Sequence, residues 1–401
     1  MMRQPEAVLD FGTSKIACLL GNIEGEDNFE VYGIGSCDYK GIKKGRFLDD
    51  TSLPYAIKKT IDIAQSEATR RIKEVYIGVP GSFCEIECSQ AELDYGDKPG
   101  VISEADIDLL IEESFKRLEL SEQEGLLYIQ SMPMHFRVDG NARKDVPIGS
   151  QAKELWGAVS HIFAYKQFVT HVEDLLADIG IGIAGFIYST YAEGMLLIPK
   201  ENATEDAIVL DVGYLESDIC AFRNGVPVFK KTLAIGGVHF ASDISYVLQI
   251  APDVAETIKR RHVFGLDYTG RTDVFRTTEG KMEEFVYEHI QDIIEARLKE
   301  FAQIVAETIE NAPITIKQDA DIYVCGGGLS MMRGSKEFFQ AQTGYSIKYE
   351  SPWLPRMNSS SYYSTYGVLN YIFKSGMKKE AFSAGLKSST LVKALINFFT
   401  K

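Results

Sequence analysis

A chain of 401 residues exceeds one compact domain of ordinary size and fits two or three. With 45% hydrophobic and 25% charged residues it has the make-up of a folded protein, which excludes disorder as the main state. Fifty-seven acidic against 42 basic residues leave a net charge of −15, which repels phosphate backbones and excludes a sequence-reading nucleic-acid binder.

The opening residues, MMRQPEAVLD, lack the apolar stretch of a signal peptide, and nowhere do about 18 apolar residues run together as a membrane span requires. Both features predict a cytoplasmic protein. Six cysteines are scattered, and the close pair Cys84 and Cys88 has no second pair or neighbouring histidine to complete a zinc site. They read as reduced thiols in or beside strands.

Two segments echo each other about half a chain apart. Leu9-Asp10-Phe11-Gly12 is followed by Ile16-Ala17-Cys18, a Gly- and Glu-rich turn, and Val31 to Gly35. Leu210-Asp211-Val212-Gly213 is followed by Ile219-Cys220-Ala221, then Arg223-Asn224-Gly225 and Leu233 to Gly237. Each reads as strand, tight Asp-x-Gly turn, strand, hairpin, strand, which points to a duplication. An Asp-x-Gly turn between two strands suits a phosphate: its backbone N–H groups converge on an anion, and the aspartate at the strand end can hold a hydrated Mg²⁺. Asp10 and Asp211 are therefore the candidate metal-facing carboxylates. Two such turns facing across a cleft would grip one nucleotide, a logic similar to that of the actin, Hsp70 and sugar-kinase superfamily.

A third element should hold the nucleoside. Asp321 to Cys325 is a buried-strand pattern that runs into Gly326-Gly327-Gly328, where backbone can approach adenosine and α-phosphate closely; the alternative is a plain strand–helix turn. Glu256 and Lys259 open a helix and read either as ribose contacts or as a solvated face.

Taken together, Leu9 to Lys15, Val75 to Ser82, Ile102 to Ile107, Ile235 to Ile244 and Ile293 to Glu300 resemble, in this order, the FtsA family of bacterial cell-division proteins over nearly the full chain. The resemblance implies an α/β, actin-like fold of duplicated ribonuclease-H-type domains around a nucleotide cleft, with an inserted subdomain in each half. The expected layout is a first lobe at 5–83 with 162–204, its insert at 84–161, a second lobe at 205–255 with 313–373, and a small partner-binding insert at 256–312. Helical patterns cover 166–179 and 282–310, and a strand 207–212.

The nucleotide set it implies is Asp10, Gly12, Thr13, Ser14, Lys15, Asp211, Gly213, Gly237, Glu256, Lys259, Gly326, Gly327 and Gly328, with ATP and Mg²⁺ as ligand. The second phosphate loop departs from the family pattern Asp-x-Gly-Gly-Gly-Thr-x-Asp at Tyr214, Leu215 and Glu216. A left-handed Leu215 would cost about 1–2 kcal/mol. Glu216 replaces a phosphate-donating hydroxyl, and a carboxylate about 4 Å from a phosphate charge costs about 4 kcal/mol at an effective dielectric near 20, unless Mg²⁺ or outward rotation relieves it. The expectation is weak or absent hydrolysis and no catalytic residue; the alternative is a loop that has become purely structural.

After Phe373 the chain changes. Lys374, Lys378, Lys379, Lys387, Lys393 and Lys401 against Glu380 give 374–401 a charge of +5, which leaves −20 for the rest. Gly and Ser make 374–389 a flexible linker. In 390–401, Leu391, Val392, Leu395, Ile396, Phe398 and Phe399 share an arc of about 160° opposite lysine and asparagine. At about 18 Å such a helix is too short to span a bilayer, and it reads as an amphipathic helix lying among anionic headgroups, or else docked on the protein's own surface.

The function implied is a peripheral adaptor on the cytoplasmic side of the cell membrane, at the division site. It would anchor the ring of tubulin-like FtsZ through that protein's C-terminal peptide, contact other division proteins and self-assemble into actin-like filaments. Arg297 matches the family's peptide-contacting arginine, though an i,i+3 pair with Glu300 is the plainer reading. The rivals are an actin-like platform protein of a pilus or secretion machine, and an ATP-dependent phosphotransferase.

Overall fold

The computed structural model describes residues 5–24, 28–118, 125–143, 145–202, 205–330, 332–350, 354–356 and 359–375. The expected tail helix at 390–401, with Leu391, Val392, Leu395, Ile396, Phe398 and Phe399, lies outside the described residues, as does the linker beyond Ser375. Among the described residues, no helix is long and apolar enough to cross a membrane.

The near-continuous apolar run of Glu6–Phe11 makes a strand buried on both faces, the pattern of a sheet covered on each side. It centres a five-stranded sheet ordered Gly182–Tyr188, Glu74–Val79, Glu6–Phe11, Lys15–Glu24, Asn28–Asp38. The last three strands form an antiparallel meander, and the first two join in parallel. A second sheet repeats this order and these directions with Ile347–Lys348, Asp321–Cys325, Ala207–Val212, Ser217–Arg223 and Val226–Leu233. The echo extends to single bonds. In the first copy the Gly12 N–H donates to the Lys15 carbonyl, in the second the Gly213 N–H donates to the Glu216 carbonyl, each at 3.0 Å. The hairpin closing the second meander turns at Asn224 and Gly225, with φ of 51° and 72°, the paired positive values whose twist matches two right-handed strands. All six cysteines are free and lie in strands.

The inserted segment builds its own layer. Its four strands are ordered Asn141–Arg143, Leu126–Val138, Glu154–Tyr165, Cys84–Asp94. Helix Glu104–Lys116 packs Ile107, Leu110 and Ile111 on this sheet, in a small core with Ala91, Phe136, Leu155 and Val159. Ser103 starts the helix with a reciprocal cap: its hydroxyl accepts from the Asp106 N–H, and the Asp106 carboxylate accepts from the Ser103 N–H. The layer also leans on the second half of the chain, through the Ser160 hydroxyl on the Pro227 carbonyl at 2.5 Å.

The helix expected at 166–179 spans Lys166–Asp178, and the strand expected at 207–212 is Ala207–Val212. The pattern at 282–310 needs correction. Met282–Val286 is a strand paired with Thr272–Arg276, and the helix is Tyr287–Glu310. Phe275 and Phe285 meet on the inner face of this hairpin at 5.9 Å, a non-local contact that outweighs a helical period read over five residues.

Candidate functional site

Between the two repeated sheets lies a cavity of about 920 Å³. It is lined by Asp10, Gly12, Thr13, Ser14 and Lys15 from the first turn and by Asp211 and Gly213 from the second, together with Gly237, Glu256, Lys259 and Gly326 to Gly328. Residues up to 318 positions apart in sequence are thus brought to one place.

Its floor is acidic. Asp10 is buried and accepts from the Ser189 hydroxyl at 3.1 Å and the Ser364 hydroxyl at 2.6 Å. Glu193, 1% exposed, stands with Asp211 and Cys325 in a cluster whose ligand atoms all lie within 4.8 Å of one another, and one of its carboxyl oxygens has no hydrogen-bond partner. Burial, followed by the charges of Asp218 and Asp10, pushes the Asp211 carboxyl up to about 7. Burial, then Asp211 and Asp10, pushes Glu193 well above the usual carboxylate range. Asp218 is a hub: it accepts from Tyr188, from Thr190 at 2.8 Å and from Thr232 at 2.7 Å. A surplus of converging carboxylates is a donor set suited to a hard, hydrated cation, so Asp10 and Asp211 fit the Mg²⁺ expected beside a bound nucleotide.

The cations are engaged elsewhere. Lys15 donates to the Ser361 hydroxyl at 2.9 Å and stands 3.2 Å over the Tyr362 ring, and burial lowers its pKa. Lys259, far from lying on a solvated face, is 5% exposed; it pairs with Glu256 at 2.7 Å and donates to the Gly237 carbonyl at 3.1 Å.

The second turn differs from expectation at Leu215, which is not among the residues with positive φ, so no left-handed strain arises there. Its N–H instead donates to the Thr13 hydroxyl at 3.1 Å, which joins the two turns directly. Glu216 is buried and lines the cavity, and its carboxylate accepts from the Lys44 N–H at the tip of the hairpin Ile42–Phe47.

The glycine wall has a packing cause of its own. Gly326 holds φ of 78°, and a Cβ there would lie 2.2 Å from the Asp211 carboxylate and 2.4 Å from the Val212 carbonyl. Gly326→Ala should therefore cost several kcal/mol, on the order of 1 for the backbone conformation and the rest for the clash, read as a fall in the denaturation midpoint.

Arg297 lies outside the cavity. Its fork meets Asp243 in two bonds, at 2.5 and 2.8 Å, with Glu300 at 2.5 Å completing the set. The pairing with Asp243, 54 residues away, was not visible in the sequence. Glu193 and Ser189 were also missed; the available signal was that Glu193 is the single charge between Phe186 and Ile198.

Comparison with known proteins fits this geometry. The family model "Cell division protein FtsA" matches residues 208–367, the half that carries the second turn and the glycine wall. The chain is 23% identical to FtsA of Bacillus subtilis (strain 168) over 368 residues, covering 90% of this chain and 82% of that protein. With FtsA of Escherichia coli (strain K12) it shares 22% over 390 residues, covering 93% and 91%. The chain is thus similar to FtsA proteins and has the actin-like fold. Among solved structures, the PilM–PilN type IV pilus biogenesis complex matches with a TM-score of 0.62 at 16% identity, covering 91% of this chain and 97% of that one. MreB5 of Spiroplasma citri bound to ADP matches at 0.56 and 13%, covering 95% and 99%. Both share the fold.

Proposed function

We propose that this protein is a division-related, actin-like adaptor that ties the FtsZ ring to the cytoplasmic face of the cell membrane. The observation that carries the reading is similarity to FtsA proteins of several bacteria over most of the chain, with both Asp-x-Gly turns of the fold in place. Nucleotide with Mg²⁺ binds between the turns and acts as a conformational ligand, and turnover is weak or absent. The MreB5 structures, which hold AMPPNP and ADP in the same fold, support a nucleotide in the cleft. The tail at 390–401 lies on anionic lipid, and head-to-tail assembly multiplies that weak foothold.

The FtsZ tail peptide docks on the small insert at 256–312, with Arg297 as a carboxylate-binding fork. Because Asp243 already fills that fork, the peptide must displace it. The test is binding of the purified chain to a labelled FtsZ C-terminal peptide. Arg297→Ala should weaken binding at least tenfold and Asp243→Asn should strengthen it several-fold, a loss and gain of about 1–2 kcal/mol. Absence of binding by the wild-type chain would sink the adaptor reading and favour a platform role in a pilus or secretion machine.

A further inference from the structure

The reading above leaves open which nucleotide the cleft prefers. A terminal phosphate gripped by both turns needs room between them. Donors on opposite sides of one phosphate group stand about 6–7 Å apart, given about 2.9 Å per hydrogen bond and the span of the oxygens. In this protein the turns touch. The Leu215 N–H, which belongs to the second turn, is spent on the Thr13 hydroxyl of the first at 3.1 Å. The position a Cβ on Gly213 would take is also only 3.6 Å from that hydroxyl.

Charge points the same way. Glu216 stands in the turn where the pattern calls for a hydroxyl donor, and it is held by the Lys44 N–H. The bond crosses from the second repeated half to a hairpin of the first, so a side-chain carboxylate joins the two halves. Lys15, the cation of the first turn, is drawn onto Ser361 and Tyr362. From the joined turns the cavity extends toward Gly326 to Gly328, Glu256 and Lys259.

We propose that the cleft selects a nucleoside diphosphate over the triphosphate, because the Thr13–Leu215 bond closes the place of the third phosphate and Glu216 supplies a negative charge beside it. This inference rests on the cleft being a nucleotide site. The protein would then be held closed by its own side chains, with the diphosphate as its resting ligand and not as a spent product.

The experiment is calorimetric titration of the full chain with ADP and with ATP, each with Mg²⁺, in wild type and in Glu216→Gln. The glutamine keeps an acceptor for the Lys44 N–H and removes the charge. In wild type, ADP should bind at least tenfold more tightly than ATP, and Glu216→Gln should shrink that ratio at least fivefold. Equal binding, or tighter binding of ATP by wild type, overturns the selectivity and leaves the nucleotide site standing. A ratio unmoved by Glu216→Gln removes Glu216 from the explanation and overturns the proposal as stated. Failure of both nucleotides to bind either protein overturns the nucleotide reading itself, and this inference with it.

Discussion

Glu193→Gln should stabilise the protein near pH 8 and leave it almost unchanged near pH 4. Glu193 is 1% exposed, one of its oxygens is unpaired, and burial with Asp211 and Asp10 nearby raises its pKa. A raised carboxyl keeps its proton in the native state while the unfolded chain has already lost it. Stability therefore falls as pH rises from the unfolded value of about 4.3, by up to about 1.4 kcal/mol per pH unit in that window. Below the window both states are protonated and the cost vanishes. Glutamine is neutral throughout and can donate toward Asp211, so the gain should grow with pH to about 1–3 kcal/mol, the cost of an unsatisfied buried polar group. Denaturant midpoints measured from pH 4 to pH 8 decide it. A gain of the same size at both ends would mean that packing, and not ionisation, distinguishes the two side chains.

Phe168→Ala should cost about 3–5 kcal/mol, the range for emptying a buried aromatic site. Phe168 is fully buried, with ring centroids 5.6 Å from Phe11, 5.8 Å from Phe47 and 4.6 Å from Phe83. Phe11 belongs to the first Asp-x-Gly turn and Phe47 to the hairpin whose Lys44 N–H meets Glu216, so the cavity would open beneath both. Alongside the lower denaturation midpoint, limited proteolysis should cut faster within 41–48. A destabilised chain with unchanged cleavage there would mean that the hairpin is held by Glu216 alone.

What could be read from the sequence was local. Asp10-Phe11-Gly12 and Asp211-Val212-Gly213 announce themselves because turn chemistry is decided within four residues, and the same holds for the Asn224-Gly225 hairpin and the Ser103 cap. The candidate cleft residues do line one cavity. What stayed hidden was set by partners far along the chain. Lys15 is paired with Ser361, 346 residues away, and Glu193 becomes a cleft carboxylate because the helix Ser189–Leu197 packs into the core. Leu215 escapes strain since Thr13, 202 residues away, accepts from its N–H in an ordinary conformation. Glu216 is held where it is because a hairpin from the other half offers it a donor. No window of sequence contains these pairs.

The register of the inserted layer carries a consequence for how such a chain can change. Cys84, where the layer begins, pairs directly with Ala164, one residue before its last strand ends. Entry and exit are therefore neighbours, about 5 Å apart as cross-strand partners are. The layer also has its own core. It is attached to the host like a cassette on two adjacent pins. A short turn joining the pins would delete it at the cost of its contacts with the host: Ser160 and Cys88 on Pro227 and Val228, Met134 on Asn224, Gln130 on Tyr371, and Met132 and Ile162 in the main core. A foreign module whose ends lie equally close could be exchanged for it, leaving the cleft to evolve on a separate schedule.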